Sequence, residues 1–230
     1  MEIKTDTIYN IDCIELMQQM KKDKIVVDWV ITDPPYGIGV GSMPYTNGVQ
    51  MVGKALAKRR DYSNTGDWDN SKIDKKYFDL IFQISKNQII FGGNYYTDYL
   101  PSTKSWVIWD KRCDDNMRNS FADCEMAWYS KGVARVFRYL YNGMLQGNAK
   151  LKDERFHPTQ KPVELWMKLL NFYTKEGDIV FDPFAGSCSL AIACHKMKRK
   201  YICCEKNKDY YKKGCAWLEK VKSQVSMFDI

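Results

Sequence analysis

Short apolar runs alternate with segments of helical periodicity along most of this chain, and this alternation constrains the fold more than any other feature. The apolar runs are five to eight residues long and rich in Val, Ile and aromatic residues, which is typical of strands. They cover residues 7–11, 25–32, 88–93, 105–110, 124–130, 178–182 and 201–205. Helical spacing predicts helices over 13–22, from about 73 to 84, from Pro162 with Gly177 placed to end it, from about 187 to 198, and from about 207 onward. The sequence therefore predicts an α/β fold with a mostly parallel sheet and helices on both faces.

Two long connections interrupt the alternation within what is otherwise predicted to be a single domain of residues 1–230. One spans 37–71 and is rich in Gly, Asn and Ser, and the other spans 131–156 and carries several Arg and Lys residues. Connections of this length in a compact domain are usually functional or disordered. Both segments are therefore candidates for functional loops.

Composition excludes several classes of protein. The eight cysteines form no C-x-x-C pair, and with only two histidines no zinc spacing is available, so we expect reduced thiols, a cytoplasmic protein and no metal. No leader peptide is apparent and no apolar run approaches the roughly 18 residues that a membrane span needs, so we expect no membrane association. The net charge of +7 is compatible with a nucleic-acid partner without requiring one.

A carboxylate, two prolines and an aromatic ring end the strand predicted over 25–32, as Asp33, Pro34, Pro35 and Tyr36. Ligands of open parallel sheets bind at the carboxyl ends of the strands. The prolines lack N–H groups and hold the preceding residues extended, which leaves the Asp33 carboxylate and the Pro34 carbonyl as acceptors. Two acceptors beside a flat ring suit a planar group bearing an NH₂, such as adenine or cytosine. A rigid turn that only closes the strand is the alternative interpretation of this tetrapeptide.

A second candidate site follows the strand at 178–182, where Gly186 lets the backbone approach a ligand and a helix N-terminus offers free N–H groups. Glu205 ends the next strand nineteen residues later, a position at which an acidic residue typically accepts ribose hydroxyls. These features predict a nucleoside site, and a tight strand-to-helix turn is the alternative. The glycines at 37, 39 and 41 lack the third glycine of a dinucleotide fingerprint and are interpreted as loop residues.

Three motifs taken together, DPPY at 33–36, HPTQKP at 157–162 and DPFAGS at 182–187, resemble those of the β-class DNA amino-methyltransferases. The catalytic motif precedes the cofactor motif, which in that class marks a circular permutation of the three-layer, Rossmann-like methyltransferase fold. The resemblance implies a seven-stranded sheet that ends in an antiparallel hairpin. It also implies S-adenosylmethionine as cofactor and double-stranded DNA as partner, with methyl transfer to the N6 amine of an adenine rotated out of the duplex.

The resemblance implies roles for individual residues. Those implied to be catalytic are Asp33, Pro34, Pro35 and Tyr36. Those implied to bind the cofactor are Asp12, Cys13, Thr159, Lys161, Asp182, Phe184, Gly186, Ser187 and Glu205. His157 is expected to orient its turn through hydrogen bonds. Four basic residues on the loop after the catalytic strand are candidates for DNA phosphate contacts, with a solvated face as the alternative: Lys54, Lys58, Arg59 and Arg60.

The sequence departs from the family pattern at two places. Cys188 stands where a second glycine is usual, which puts close backbone approach in question. The segment 131–156 occupies the place of a target-recognition domain but is only 26 residues long. Recognition of the DNA target sequence must therefore involve few contacts, use the segment 37–71, or be supplied by a second subunit. A homodimer is thus one of the expected arrangements.

Two other functions remain open at this point. One is methylation of cytosine N4, or of an RNA or protein amide nitrogen, which would use the same pocket, although Asp as the first motif residue favours adenine by family habit. A catalytically silent subunit that only binds nucleic acid is the alternative from another class. Such a subunit would not need both an intact 33–36 tetrapeptide and Glu205, so the enzyme is favoured.

Overall fold

The computed structural model describes residues 1–39, 49–52, 55–58, 69, 71–113, 122–142, 145–147, 153 and 155–225. Its strands are β1 (Thr7–Tyr9), β2 (Val27–Thr32), β3 (Val49–Val52), β4 (Ala55–Lys58), β5 (Ser85–Phe91), β6 (Trp106–Asp110), β7 (Cys124–Tyr129), β8 (Arg135–Arg138), β9 (Tyr141–Asn142), β10 (Leu145–Gln146), β11 (Ile179–Asp182) and β12 (Lys200–Cys204). Its helices are α1 (Cys13–Lys22), α2 (Lys75–Gln83), α3 (Val163–Tyr173), α4 (Ser189–Lys196) and α5 (Lys208–Val225), with a 3-10 turn at Gly93–Tyr95.

The main sheet has eight strands in the order β1-β12-β11-β2-β5-β7-β6-β8. The strands from β1 to β5 in this order pair in parallel, β7 is antiparallel to both of its neighbours, and β8 is parallel to β6. Successive residues of β5 face opposite sides: Ile89 and Phe91 contribute to one apolar cluster and Ile90 to another. The first cluster includes residues of α3, α4 and α5, and the second includes residues of α1 and α2. The predicted three-layer α/β fold is confirmed.

The sheet has one strand more than the family resemblance implies, and it does not end in the antiparallel hairpin of β6 and β7. Strand β8 extends it, with Val107–Asp110 of β6 in register with Arg135–Arg138. This strand lies inside the predicted recognition segment 131–156, so part of that segment belongs to the sheet edge. The predicted loop 37–71 likewise contains an antiparallel hairpin formed by β3 and β4.

The short connection between α3 and β11 differs from the prediction. Gly177 does not end the helix that was expected to begin at Pro162. Helix α3 ends at Tyr173, since Thr174 is extended and its hydroxyl donates to the Leu170 carbonyl at 2.6 Å. Gly177 instead forms the turn into β11, with a φ of 83° and an N–H that donates to the Lys198 carbonyl. A positive φ of this kind favours glycine, which explains the residue without a helix cap.

Helix α4 begins at Ser189 rather than at the predicted Ser187, because Cys188 adopts a left-handed backbone with a φ of 62°. The Cys188 side chain is fully buried under α5, where it faces Gly214. A Cβ on Gly214 would lie 2.5 Å from the Cys188 sulfur. A cysteine is therefore accommodated at this position because α5 carries a glycine opposite it.

None of the helices in the described part of the chain combines the length and apolar character that a membrane span requires. Within the same residues, no group of three or more His, Cys, Asp or Glu side chains could hold a metal ion.

The pairing of Cys188 with Gly214 predicts an unusual response to Gly214→Ala. Alanine normally stabilises a helix interior by about 1 kcal/mol relative to glycine. Here the added methyl group would overlap the Cys188 sulfur, and we expect the free energy of unfolding to fall by about 1–3 kcal/mol in urea titrations.

The matched control is the double variant Gly214→Ala/Cys188→Gly. Glycine at 188 removes the overlapping side chain and tolerates the left-handed backbone, so the double variant should recover most of the loss. A single Gly214→Ala variant that is as stable as the parent protein would contradict this account of Cys188.

Candidate active site

A single cavity of about 480 Å³ lies at the carboxyl ends of β2, β11 and β12. Both sequence motifs reach it, since Asp33 and Pro35 of the first and Asp182, Phe184, Gly186 and Ser187 of the second line its wall. All nine residues expected to bind the cofactor line the same cavity: Asp12, Cys13, Thr159, Lys161, Asp182, Phe184, Gly186, Ser187 and Glu205. The fold thus brings the two predicted sites together as one.

The Asp33 carboxylate is held from two sides at the cavity wall. One oxygen, Oδ1, accepts a hydrogen bond from the Tyr36 hydroxyl, and the other, Oδ2, lies 2.5 Å from the Lys161 ammonium. Only 15% of the Asp33 side chain is exposed. Burial, together with the nearby Glu125 carboxylate, raises the pKa of Asp33, while Lys161 acts in the opposite direction.

The residues that follow Asp33 are fixed by hydrogen bonds to the backbone. Pro34 is buried, and the Pro35 carbonyl accepts from the Tyr96 hydroxyl. The N–H groups of Tyr36 and Gly37 both donate to Asp69 Oδ1, at 2.8 and 2.9 Å. The turn after β2 is therefore rigid on the side away from the cavity.

The Tyr36 ring packs between another ring and a glycine. Tyr95 stacks on it with a centroid separation of 4.9 Å and an interplanar angle of 17°. Gly92, in the left-handed region with a φ of 64°, lies so close that a Cβ there would overlap the Tyr36 ring. Glycine at position 92 is thus required by the position of the Tyr36 ring.

Asp182 is almost completely buried between β11 and β2. Its Oδ1 accepts from the Thr32 hydroxyl at 2.6 Å and from the Phe184 N–H at 3.1 Å. Burial without a neighbouring cation raises the pKa of Asp182 to about 7.

Glu205 is anchored by the turn that Gly186 forms. Its two oxygens accept from the N–H groups of Gly186, at 2.8 Å, and Asn207, at 2.6 Å. Burial raises the pKa of Glu205 to about 7. These bonds orient the carboxylate and leave further lone pairs for a ligand in the cavity.

His157 supports the same turn from the HPTQKP segment. Its ring packs 4.4 Å from the ring of Tyr210, and its Nδ1 lies 3.3 Å from the Thr159 hydroxyl. A Cβ on Gly186 would lie 3.3 Å from the His157 ring, so glycine allows the two segments to approach closely. Burial lowers the pKa of His157 to about 3, and the ring is neutral at physiological pH.

The other end of the cavity is formed around the start of α1. Asp12 caps this helix through the Ile14 N–H at 2.9 Å and pairs with Lys206 at 2.9 Å. Cys13 is buried beside it, and burial raises the pKa of its thiol to about 12. Cys13 therefore acts as a small apolar group in the wall, close to Tyr77.

The described residues do not test the predicted DNA contacts. Lys54, Arg59 and Arg60 lie outside the described residues, and Lys58 is described only by the pairing of its backbone with Val49 in the β3–β4 hairpin. Their role in binding DNA stays a prediction.

Sequence reasoning missed Glu125 and Lys111, which extend the charged contacts of Asp33. Lys161 Nζ lies 2.9 Å from Glu125 Oε2, and Lys111 Nζ lies 3.2 Å from Glu125 Oε1. The available signal was a carboxylate at the second position of the apolar run 124–130, because a charge in a buried strand usually has a partner.

The chemistry of the cavity fits S-adenosylmethionine. Glu205 presents a fixed carboxylate of the kind that accepts ribose hydroxyls, and Cys13, Tyr77 and Ile11 provide apolar and aromatic surface for a base. Asp33, Asp182 and Glu205 place three carboxylates in the wall, and their ionised forms would attract a ligand that carries a sulfonium cation.

The close contact of Gly92 with Tyr36 predicts the effect of Gly92→Ala. A Cβ should displace the Tyr36 ring and strain the backbone, so we expect loss of methyl transfer and destabilisation by more than about 1–2 kcal/mol. The matched control is Gly177→Ala, where φ is 83° but a Cβ would meet no atom within 4 Å. Both variants should lose stability in urea titrations, and a Gly92→Ala variant with full activity would contradict the role of the contact.

The raised pKa of Glu205 predicts pH-dependent cofactor affinity. The ionised carboxylate is the better acceptor, and its fraction falls as the pH drops through about 7. Calorimetric affinity for S-adenosylmethionine should therefore decrease by up to about tenfold per pH unit below pH 7, and Glu205→Gln should bind weakly with a flatter profile. Because Asp182 titrates in the same range, Asp182→Asn is the control, and it should keep the slope. If the affinity of Glu205→Gln keeps the same dependence on pH as the parent protein, Glu205 is not the group that causes it.

Several known proteins are similar to this chain in sequence. The sequence model of the DNA methylase family N6_N4_Mtase matches residues 93–215. The chain is 37% identical to the type II methyltransferase M.HpaI of Haemophilus parainfluenzae, over 95% of this chain and 74% of that protein. It is 23% identical to the type II methyltransferase M2.MboI of Moraxella bovis, over 90% of this chain and 85% of that protein.

Two solved structures share the fold. The complex of M1.HpyAVI with S-adenosylmethionine matches with a TM-score of 0.59 and 19% identity, over 92% of this chain and 98% of that one. The cytosine-N4-specific PvuII DNA methyltransferase matches with a TM-score of 0.55 and 14% identity, over 96% of this chain and 91% of that one. Taken with the family match, these findings show that the chain belongs to the N6/N4 family of S-adenosylmethionine-dependent DNA methyltransferases.

Proposed function

We propose that this DNA methyltransferase transfers a methyl group to the N6 amine of an adenine that has been rotated out of the DNA duplex. The observation that carries the proposal is that the Asp33 carboxylate lines the same cavity as Glu205 and the turn at Gly186. An amine held by Asp33 would therefore lie next to a cofactor held by Glu205. The carboxylate at position 33 supports adenine as the base, by resemblance to family members that begin this motif with Asp.

The chemical task of Asp33 is to make an aromatic amine nucleophilic. The lone pair of such an amine is delocalised into the ring, and attack requires that it localise on nitrogen as positive charge develops. Hydrogen bonds from the amine to the Asp33 carboxylate and the Pro34 carbonyl would strengthen as that charge grows, which lowers the barrier selectively. A carboxylate has about four acceptor sites. Tyr36 and Lys161 each use one of these on Asp33, so acceptor capacity remains for the amine.

The cofactor residues proposed here divide by the part of the ligand that they would hold. Glu205 would accept from the ribose, Asp12 and Cys13 would contact the adenine, and Phe184, Gly186, Ser187, Asp182 and Thr159 would surround the methionine portion. When bound, S-adenosylmethionine supplies an electrophilic methyl group on its sulfonium.

The base must leave the helix because a stacked adenine cannot reach a carboxylate that is only 15% exposed in a cavity wall. Tyr36 would support the extruded base indirectly, because its ring packs between Tyr95 and Gly92 and its hydroxyl donates to Asp33. Lys54, Lys58, Arg59 and Arg60 are proposed to contact DNA phosphates. Because the segment 131–156 is short, target recognition is proposed to involve few contacts, to use 37–71, or to depend on a second subunit.

Methylation of cytosine N4 is the second candidate function. It is favoured by the fold similarity to the PvuII DNA methyltransferase, which is cytosine-N4-specific. Both bases place an exocyclic amine beside a ring-nitrogen acceptor, so the Asp33 mechanism would serve either. The product nucleoside distinguishes them.

The proposed role of Asp33 predicts that Asp33→Asn and Asp33→Ala reduce kcat for DNA methylation by about a hundredfold or more. The matched control is Asp98→Asn, since Asp98 is exposed and away from the cavity lining. Mass spectrometry of digested DNA should detect N6-methyladenine with the parent enzyme and the control, and almost none with the Asp33 variants.

Cofactor affinity measured by calorimetry should stay within a few-fold of the parent value in the Asp33 variants. Equal activity in Asp33→Ala would refute the assignment of the catalytic carboxylate. Detection of N4-methylcytosine as the product would show that the target base is cytosine and not adenine.

A further inference from the structure

Four charged side chains of alternating sign form a row that ends at the cavity. Lys161 lies 2.5 Å from Asp33 Oδ2 and 2.9 Å from Glu125 Oε2, and Lys111 lies 3.2 Å from Glu125 Oε1. The row therefore reads Asp33, Lys161, Glu125, Lys111, with a carboxylate at the cavity and an ammonium at the far end. Its formal charge is zero.

The sheet topology creates this row. Asp33 follows β2, Glu125 lies near the start of β7, and Lys111 follows β6. Because β7 runs antiparallel to β5 and β6, its first residues lie at the same sheet edge as the last residues of β2 and β6. Lys161, in the segment before α3, spans the gap between β2 and β7.

Lys161 is built into this position. Its side chain is only 5% exposed, and its ammonium lies 5.1 Å from the centroid of the Phe91 ring at the end of β5. The Glu125 oxygen that faces it is shielded from solvent, although 26% of the Glu125 side chain is exposed. An ammonium enclosed in this way between two carboxylates has little freedom to contact a ligand, although Lys161 lines the cavity.

We propose that Lys161 and Glu125 are positioning residues for the transfer reaction: Lys161 holds Asp33 ionised and aimed at the cavity as the acceptor for the target amine, and Glu125 holds Lys161 and balances its charge. The inference rests on the proposed role of Asp33 and assigns Lys161 to the base side of the cavity, in place of the cofactor role implied by resemblance. Lys161 supplies the positive charge without which a buried carboxylate would be protonated. Glu125 balances that charge, so Asp33 keeps an excess of negative charge toward the substrate.

The sign of each contribution follows from Coulomb's law. Positive charge develops on the amine during transfer, so a net positive charge behind Asp33 would oppose the reaction. Without Glu125, the two ammonium groups would be balanced only by Asp33, and the row would carry one positive charge. Without Lys161, two carboxylates would lie together with only the distant Lys111 to balance them, and Asp33 would take up a proton.

These opposite contributions define the test. Glu125 raises the pKa of Asp33 and Lys161 lowers it. The charged or titratable groups that act on Asp33 or lie near it are Tyr36, Tyr96, Glu125, Lys161, Asp182 and, through Glu125, Lys111. Glu125→Gln should therefore move the acidic limb of the kcat profile to lower pH, and Lys161→Met should move it to higher pH, each by about one pH unit.

The experiment measures kcat against pH for the parent protein, Glu125→Gln, Lys161→Met, Lys161→Arg and the double variant Glu125→Gln/Lys161→Met. Lys161→Arg keeps the charge and should stay closest to the parent profile, and the double variant should lie between the single ones. The plateau of kcat should fall in Glu125→Gln, while the KM for S-adenosylmethionine stays within about twofold of the parent value. Thermal midpoints report whether each variant is folded, and Glu125→Gln keeps the test decisive if Lys161→Met does not fold.

A second readout does not depend on turnover. The carboxyl carbon of Asp33, labelled with ¹³C and assigned by its loss in Asp33→Asn, should titrate at lower pH in Glu125→Gln and at higher pH in Lys161→Met. Unchanged titration in both variants, or shifts in the same direction, would overturn the proposal. Loss of cofactor affinity in Lys161→Met with an unchanged Asp33 titration would return Lys161 to the cofactor site. Activity retained in Asp33→Asn would instead refute the proposed function on which this inference rests.

Discussion

The parallel pairing of β2 with β11 is the constraint on which the site depends. Val180 and Phe181 of β11 lie in register with Trp29 and Val30 of β2, and the Thr32 hydroxyl donates to Asp182 at 2.6 Å. Thr32 and Asp182 are 150 residues apart in the chain, yet the pairing places the carboxyl ends of both strands side by side. The order of the motifs along the chain is therefore of no consequence for the chemistry, because only adjacency in the sheet decides which side chains share the cavity.

Much of the fold could be predicted because its elements are encoded locally. Every helix and every central strand was predicted within a few residues, since apolar periodicity reports burial on one face or on both. The errors lie where the backbone departs from regular geometry, as at Gly177 and Cys188, whose positive φ values set the ends of turns that periodicity does not detect. Strand β8 was not predicted because Arg135 and Arg138 interrupt its apolar pattern. It lies at the edge of the sheet, where exposed positions need not be apolar.

The site was predicted in its composition but not in its contacts. Asp33, Asp182 and Glu205 could be found because each follows an apolar run, where a parallel sheet presents ligands. The partner of Asp33 could not be found in this way, since Lys161 is 128 residues distant and its contact depends on which strands are neighbours. The same reason hides Gly92 and Gly214, because a glycine selected for space against a distant side chain looks in sequence like any other glycine.

The carboxylates of the cavity have two kinds of surroundings, which differ in whether a cation contacts the carboxylate. This difference corresponds to two different tasks. Glu205 and Asp182 are held by neutral donors, and burial without a nearby cation raises the pKa of each to about 7. Asp33 has an ammonium in contact, and that ammonium is shared with Glu125. Carboxylates of the first kind gain negative charge most readily when a cation enters beside them, which suits the binding of a sulfonium. A carboxylate of the second kind has a cation beside it before the substrate arrives, and that cation favours the ionised form. This suits an acceptor for a neutral amine, which must be ionised when positive charge first develops on the nitrogen.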